Sequence, residues 1–169
     1  MVPVLFQKIY APDGFDSNDH VQIVGEGEFL RTCYRHAETT VSVDPTHRKI
    51  KLGPVAYKYS GFCLQVVLPF ERIVDVGVLP PGKWEIVQGP LETKVGEMNI
   101  SKATNPEADD FLYAPISSVS LNQVSKTAEV TLAGEFRNSC LAIDHVKVNV
   151  QPDVIVLQPV ARLDSAGGC

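Results

Sequence analysis

The sequence predicts an all-β protein built from two related units. No stretch carries the apolar spacing of an amphipathic helix over three turns. Short runs of period-two alternation recur along the chain, separated by Pro, Gly, Asn and Asp turn formers. One segment also returns. Gly27-Glu28-Phe29-Leu30-Arg31-Thr32-Cys33 reappears as Gly134-Glu135-Phe136-Arg137-Asn138-Ser139-Cys140, with Gly, Glu, Phe and Cys in the same register.

Both copies continue alike. Each motif cysteine is followed by two alternating runs, at 39–43 and 48–52 in the first copy and at 145–150 and 154–157 in the second. A second cysteine, Cys63 or Cys169, then closes the copy at nearly the same interval. The expected division is therefore 1–104 and 105–169, with the polar stretch 102–110 as linker.

In chain order, residues 1–10 read as an extended entry strand, placed at an edge by Pro3. Residues 11–19 are a loop and 20–24 a strand. Phe29 and Phe136 are expected at equivalent core positions. Residues 31–38 fit a short helix, a loop or an irregular strand. The runs 39–43 and 48–52 form a hairpin across Asp44-Pro45-Thr46-His47, which Gly53-Pro54 should end. Further strands are expected at 55–59, 62–68 and 73–78. The tight turn Leu79-Pro80-Pro81-Gly82 then leads into 83–87, where Trp84 is the largest core candidate. A strand at 92–100 closes the first unit. In the second, strands are expected at 116–121 and 128–136, then a hairpin of 146–150 and 154–157 turning at Pro152-Asp153.

The second copy lacks counterparts of 64–87, so it is expected to be truncated or completed by a swapped strand. The donor is either the chain's own residues 2–9 or a neighbouring molecule, because an uncovered sheet leaves apolar surface and unpaired edges.

With 15 basic and 20 acidic residues, the formal charge is -5. No basic stripe exists to neutralise phosphates, which argues against nucleic acid as a partner. No apolar run is long enough for a membrane-spanning helix, and the residues after Met1 read as strand rather than leader.

Four cysteines allow three pairings. Equivalent positions should do the same job, which favours Cys33–Cys63 and Cys140–Cys169. Each bridge closes a loop worth about 3 to 4 kcal/mol in the chain-entropy model. Buried free thiols are the alternative. A metal site needs close pairs such as Cys-x-x-Cys, and there are none. Disulfides imply an oxidising compartment.

The run Val76-Gly77-Val78-Leu79-Pro80-Pro81-Gly82-Lys83-Trp84-Glu85-Ile86, with Cys63 and Pro69-Phe70 before it, resembles the closing half of tandem disulfide-bearing immunoglobulin-like β-sandwich modules in secreted or periplasmic bacterial proteins. The resemblance covers residues 20–88, and the opening half recurs at 128–169. It implies two immunoglobulin-like sandwich units outside the cytoplasm: periplasmic, cell-surface or secreted. It implies no activity.

Little in the chain points to catalysis. Cys33 and His36 have the residue types for thiol chemistry, but the second copy has Ala142 and Ile143 where a matching base would stand, so the cysteine reads as structural. The acidic groups Asp13, Asp16, Asp19 and Glu107, Asp109, Asp110 lack the calcium-loop pattern and read as solvated loops. No catalytic residue, cofactor site or metal site is assigned. The candidate ligand surface is aromatic: Tyr57 and Tyr59 share one strand face, and Tyr34 adjoins Cys33. The expected function is a non-enzymatic, structural or protein-binding module that acts by β-strand addition. The alternative is a carbohydrate-binding module. Non-reducing peptide mapping is expected to recover Cys33–Cys63 and Cys140–Cys169, and a Cys33–Cys140 peptide would contradict the two-unit division.

Overall fold

The computed structural model describes residues 1–107, 110–124, 127–152 and 154–164. All regular structure in them is strand and turn; they contain no helix. By backbone contacts the chain divides into two compact units, Met1–Ala108 and Asp109–Cys169.

The first unit holds eight strands: β1 (Val2–Pro3), β2 (Lys8–Tyr10), β3 (Val21–Phe29), β4 (Tyr34–Asp44), β5 (Lys49–Lys58), β6 (Leu68–Gly77), β7 (Gly82–Gln88) and β8 (Thr93–Ile100). They form two sheets. In the three-stranded sheet, β3 lies between β2 and β6. In the five-stranded sheet, β4 pairs along one side of β5. Antiparallel β1 and parallel β7 share the other side, and β8 pairs with β7.

One core joins the two sheets. Along β3, alternate residues Val21, Ile23, Gly25, Gly27 and Phe29 are buried, the period-two signature of a strand with one covered face. Val21 and Ile23 belong to one cluster with Val74 of β6, Ile50 and Leu52 of β5, Trp84 and Ile86 of β7, and Met98 and Ile100 of β8. Trp84 is fully buried, and its indole N–H donates to Pro80 O at 2.9 Å, so its one polar atom is satisfied inside the turn that the sequence predicted.

The entry segment divides between the layers. β1 joins the five-stranded sheet and β2 the three-stranded one. Between them Phe6 is buried, and Gln88 at the end of β7 clamps it. The Phe6 N–H donates to Gln88 Oε1 at 3.0 Å, and Gln88 Nε2 donates to Phe6 O at 2.7 Å. A buried side-chain amide thus replaces the ladder bonds lost at the crossover. Residues 2–9, expected as one donor to the second unit, are therefore already used inside the first.

Gly25 and Gly27 allow a close approach of rings to the sheet. A Cβ at Gly25 would lie 2.6 Å from the Phe6 ring, and one at Gly27 would lie 2.5 Å from the Phe70 ring. Phe70 in turn stacks on Phe29 with ring centroids 4.5 Å apart.

Cys33 and Cys63 are bonded as expected. Two other expectations are corrected. Gly53-Pro54 does not end a strand, because β5 runs through it. Pro54 stays in extended pairing opposite Thr39, and its carbonyl accepts from Val4 N at 3.0 Å. Residues 62–67 are not a strand. Thr32 holds Leu64 by two bonds outside any ladder, at 3.1 and 3.0 Å, and Phe62 is 90% exposed. The uncertain segment 31–38 is a turn followed by β4, with a bulge between His36 and Glu38.

The second unit holds two hairpins. β9 (Ser118–Val124) pairs with β10 (Thr127–Ala133), and β11 (Leu141–Val150) pairs with β12 (Ile155–Leu163), with a bulge between Ile143 and His145. The expected turn at Pro152-Asp153 is bracketed by Gln151 N donating to Val154 O at 2.8 Å; Asp153 itself lies outside the described residues. So does Cys169, and with it the expected Cys140–Cys169 bridge; no described cysteine is free.

Phe29 is buried, whereas Phe136 lies beyond the end of β10 and is half-buried. The two are thus not equally enclosed. Phe29→Ala is expected to cost about 3 to 5 kcal/mol in urea denaturation, and Phe136→Ala about half of that or less. Equal losses would place both rings in closed cores.

Candidate functional site

The candidate site is an apolar cleft in the second unit. β10 contributes Val130 and Leu132, followed by Gly134 and Phe136. β11 contributes Ile143, Val146 and Val148, and β12 contributes Leu157 and Pro159. Ala114, Pro115 and Ile116 close one side, and the cleft encloses about 640 Å³. The β9–β10 and β11–β12 hairpins each have an apolar stripe because their residues alternate. Here those stripes line open space. Val130 is 37% exposed and Ile155 55% exposed, and Ile143, Val146, Val148 and Val150 are exposed as well. A contiguous exposed apolar patch of this kind is unusual on a folded unit.

Backbone geometry adds a second property. Among the described strands β10 pairs with β9 alone. Edge strands are ordinarily guarded by charge, proline or bulges. β6, an edge of the first unit, carries Pro69, Glu71, Arg72 and Asp75. β10 carries one charged residue, Glu129, and no proline.

The residues singled out from the sequence fall elsewhere. Tyr57 and Tyr59 are 46% and 53% exposed, with rings 6.3 Å apart and tilted by 41°. They form a surface pair, not a core face. Tyr34, named with them as candidate ligand surface, is half-buried, stacked against Phe29 at 6.0 Å. Cys33 is held in its disulfide and offers no thiolate to His36, which removes the thiol dyad.

His36 instead occupies a structural niche between β4 and β6. It packs between the rings of Phe6 and Phe70, at 6.4 and 5.4 Å. Arg72 Nε donates to His36 Nδ1 at 3.1 Å, so that nitrogen needs its lone pair and the proton belongs on Nε2, which donates to Thr39 Oγ1 at 3.2 Å. Burial, and then the Arg72 charge, hold the His36 pKa below its ordinary value.

Among the described residues no group of three His, Cys, Asp or Glu stands close enough to hold a metal ion. In the acidic loop, Asp16 accepts from Asn18 N at 3.0 Å and its own N–H donates to Asp19 Oδ2 at 2.8 Å, so these carboxylates brace the loop. Asp109 lies outside the described residues.

Comparison with family models finds no match, and comparisons with curated proteins and with solved structures find none at a significant level.

Apart from Phe136, expected there as a core residue, the cleft residues were not singled out from the sequence, although a signal for them existed. In the register of the repeated motif, Val130 and Phe136 stand where Ile23 and Phe29 stand, and those two belong to the buried face of β3.

His36 also sets a pH dependence. A histidine kept neutral by its fold contributes stability in full above its unfolded pKa of about 6.5, and that contribution is lost as pH falls through that value toward the lower folded one. Thermal melts between about pH 7.5 and pH 5 are expected to show a larger drop for the wild-type chain than for His36→Phe. Equal drops would mean that His36 does not titrate on unfolding.

Proposed function

We propose that the chain is a non-enzymatic, extracytoplasmic binding protein of two immunoglobulin-like β-sandwich units, and that the second unit binds other polypeptides by accepting a β-strand. The carrying observation is the open apolar cleft beside the thinly guarded edge of β10. Strand addition joins main-chain hydrogen bonds, which give affinity, to alternate side-chain pockets, which give specificity. The cleft supplies the pockets.

Support for the repeat comes from matched backbone bonds. Val4 N donates to Pro54 O in one unit, and Ala114 N donates to Pro159 O in the other, at 3.0 and 2.8 Å. Gln7 N donates to Glu26 O, and Ser117 N to Ala133 O, at 2.7 and 2.8 Å. Pro54 pairs with Thr39 and Pro159 with Val146. Both hairpin strands bulge at the same distance from their motif cysteine. On this alignment β9 to β12 correspond to β2 to β5. The Cys33–Cys63 bridge supports an oxidising compartment. No helix is long and apolar enough to cross a membrane among the described residues.

A carbohydrate-binding module is the second reading, favoured by the exposed Tyr57–Tyr59 pair. A glycan panel that shifts the Tyr57 and Tyr59 NMR signals and leaves the cleft unchanged would select it.

For strand addition, we expect a random peptide library selected on the intact chain to yield extended binders with apolar residues at alternate positions. N-methylation of every second peptide nitrogen should weaken them at least about tenfold in one of the two phases. Binders without alternation, or indifferent to N-methylation in both phases, would refute the reading.

A further inference from the structure

We infer that the disulfide-bearing end of the first unit is a shallow docking tip for an anionic lipid surface. The inference is independent of the cleft and of strand acceptance.

Two segments, 30–35 and 57–67, assemble the tip. The Cys33–Cys63 bond joins them. Thr32 N donates to Leu64 O at 3.1 Å, Leu64 N to Thr32 Oγ1 at 3.0 Å, and Tyr59 N to Cys33 O at 2.9 Å. In the adjoining ladder Tyr34 stands opposite Lys58 and Arg35 opposite Tyr57. The loop is thus held in place before it meets a partner, which lowers the ordering cost of binding.

The tip presents apolar side chains. Phe62 is 90% exposed and Leu30 68% exposed, and Leu64, Val66 and Val67 are exposed as well. Tyr57 and Tyr59 are exposed too, and a ring with a polar end suits the boundary between hydrocarbon and water. Such a cluster fits a protein or a membrane contact.

Charge favours the membrane. Arg31, Arg35 and Lys58 are exposed on the two segments, and neither segment contains Asp or Glu. Elsewhere in the first unit lysines are paired: Glu92 holds Lys49 and Lys51, and Glu97 holds Lys83 and Lys94. Among the described residues no ion pair takes up Arg31, Arg35 or Lys58. These cations complement acidic headgroups, and their long stems keep the charge at headgroup level while apolar neighbours go deeper. The net charge of -5 opposes approach only weakly. At physiological salt, charges more than about 8 Å from the surface are largely screened.

Shape and backbone agree with a shallow contact. A Cβ on Gly61, next to Phe62, would meet nothing within 4 Å, so the loop projects rather than forming a groove. A lipid surface receives such a projection without needing a matching shape. Residues 59–67 belong to no ladder, so their peptide groups stay among water and headgroups and only side chains reach hydrocarbon.

The test cosediments the intact chain with vesicles of phosphatidylcholine alone, or with about 30% phosphatidylglycerol. Binding to the anionic vesicles is expected to be at least about tenfold tighter, and to weaken as salt is raised to about 0.5 M. Phe62→Ser should weaken it at least about tenfold and Lys58→Gln about fivefold. Both residues are exposed, so the variants should fold, and circular dichroism checks them. Trp84 is fully buried, so Phe62→Trp adds an exposed reporter whose emission should shift to the blue on anionic vesicles. No binding to either vesicle, or binding that Phe62→Ser leaves unchanged, overturns the inference. Equal binding to both vesicles overturns the assignment to anionic lipid. A dimer of the chain alone, dispersed by Phe62→Ser, would make a second copy the occupant and overturn the lipid assignment.

Discussion

The structure depends on burying the apolar face of β3 against that of β5, across the two sheets of the first unit. Strands that alternate in polarity have an apolar side that water disfavours by about 25 cal/mol per Å². A hairpin alone cannot hide it. In the first unit β6 widens one layer and β7 and β8 the other, and the buried side chains of Trp84, Ile86, Met98 and Ile100 are what β7 and β8 contribute to the shared core. Every other feature of that unit is arranged around this closure, from the glycines that let rings settle on β3 to the Gln88 clamp on Phe6.

The second unit shows the same kind of surface with a different outcome. Its hairpins keep their internal pairing in register over nearly their whole lengths, so local backbone bonding is complete within each. What differs is the side facing the cleft. Local pairing and layer closure are thus separable in this architecture.

Much of the fold was legible in the sequence, and the failures have physical causes. The hairpin across Asp44-Pro45-Thr46-His47, the Trp84 turn and the Cys33–Cys63 pairing follow from local chemistry and from repetition. Gly53-Pro54 misled because a proline is read as a strand breaker, whereas Pro54 sits where extended pairing tolerates it and only its carbonyl is called on. Residues 62–67 are apolar apart from Gln65 but are tethered by the disulfide and by Thr32, and no neighbouring strand pairs with them. Tyr34 proved less exposed than the Tyr57–Tyr59 pair because exposure depends on which face of a strand meets the core, and a period of two does not say which. The uncovered face of the second copy was legible from its missing block, but which residues line it follows only when Val130 and Phe136 are read in the register of Ile23 and Phe29.

The divided entry segment has a consequence for biosynthesis. Residues 2–10 are synthesised before their partners, which lie in β3, β5 and at Gln88 of β7. The segment containing Val2, Val4, Leu5, Phe6 and Ile9 stays undocked until most of the first unit has been translated. Synthesis at about 5 to 20 residues per second makes that delay a matter of seconds, far longer than the microseconds in which a hairpin forms. Throughout that interval a nascent apolar tail is available to chaperones and to misassembly with other chains. Within the first unit, the segment that must wait for its partners precedes all of them in the chain.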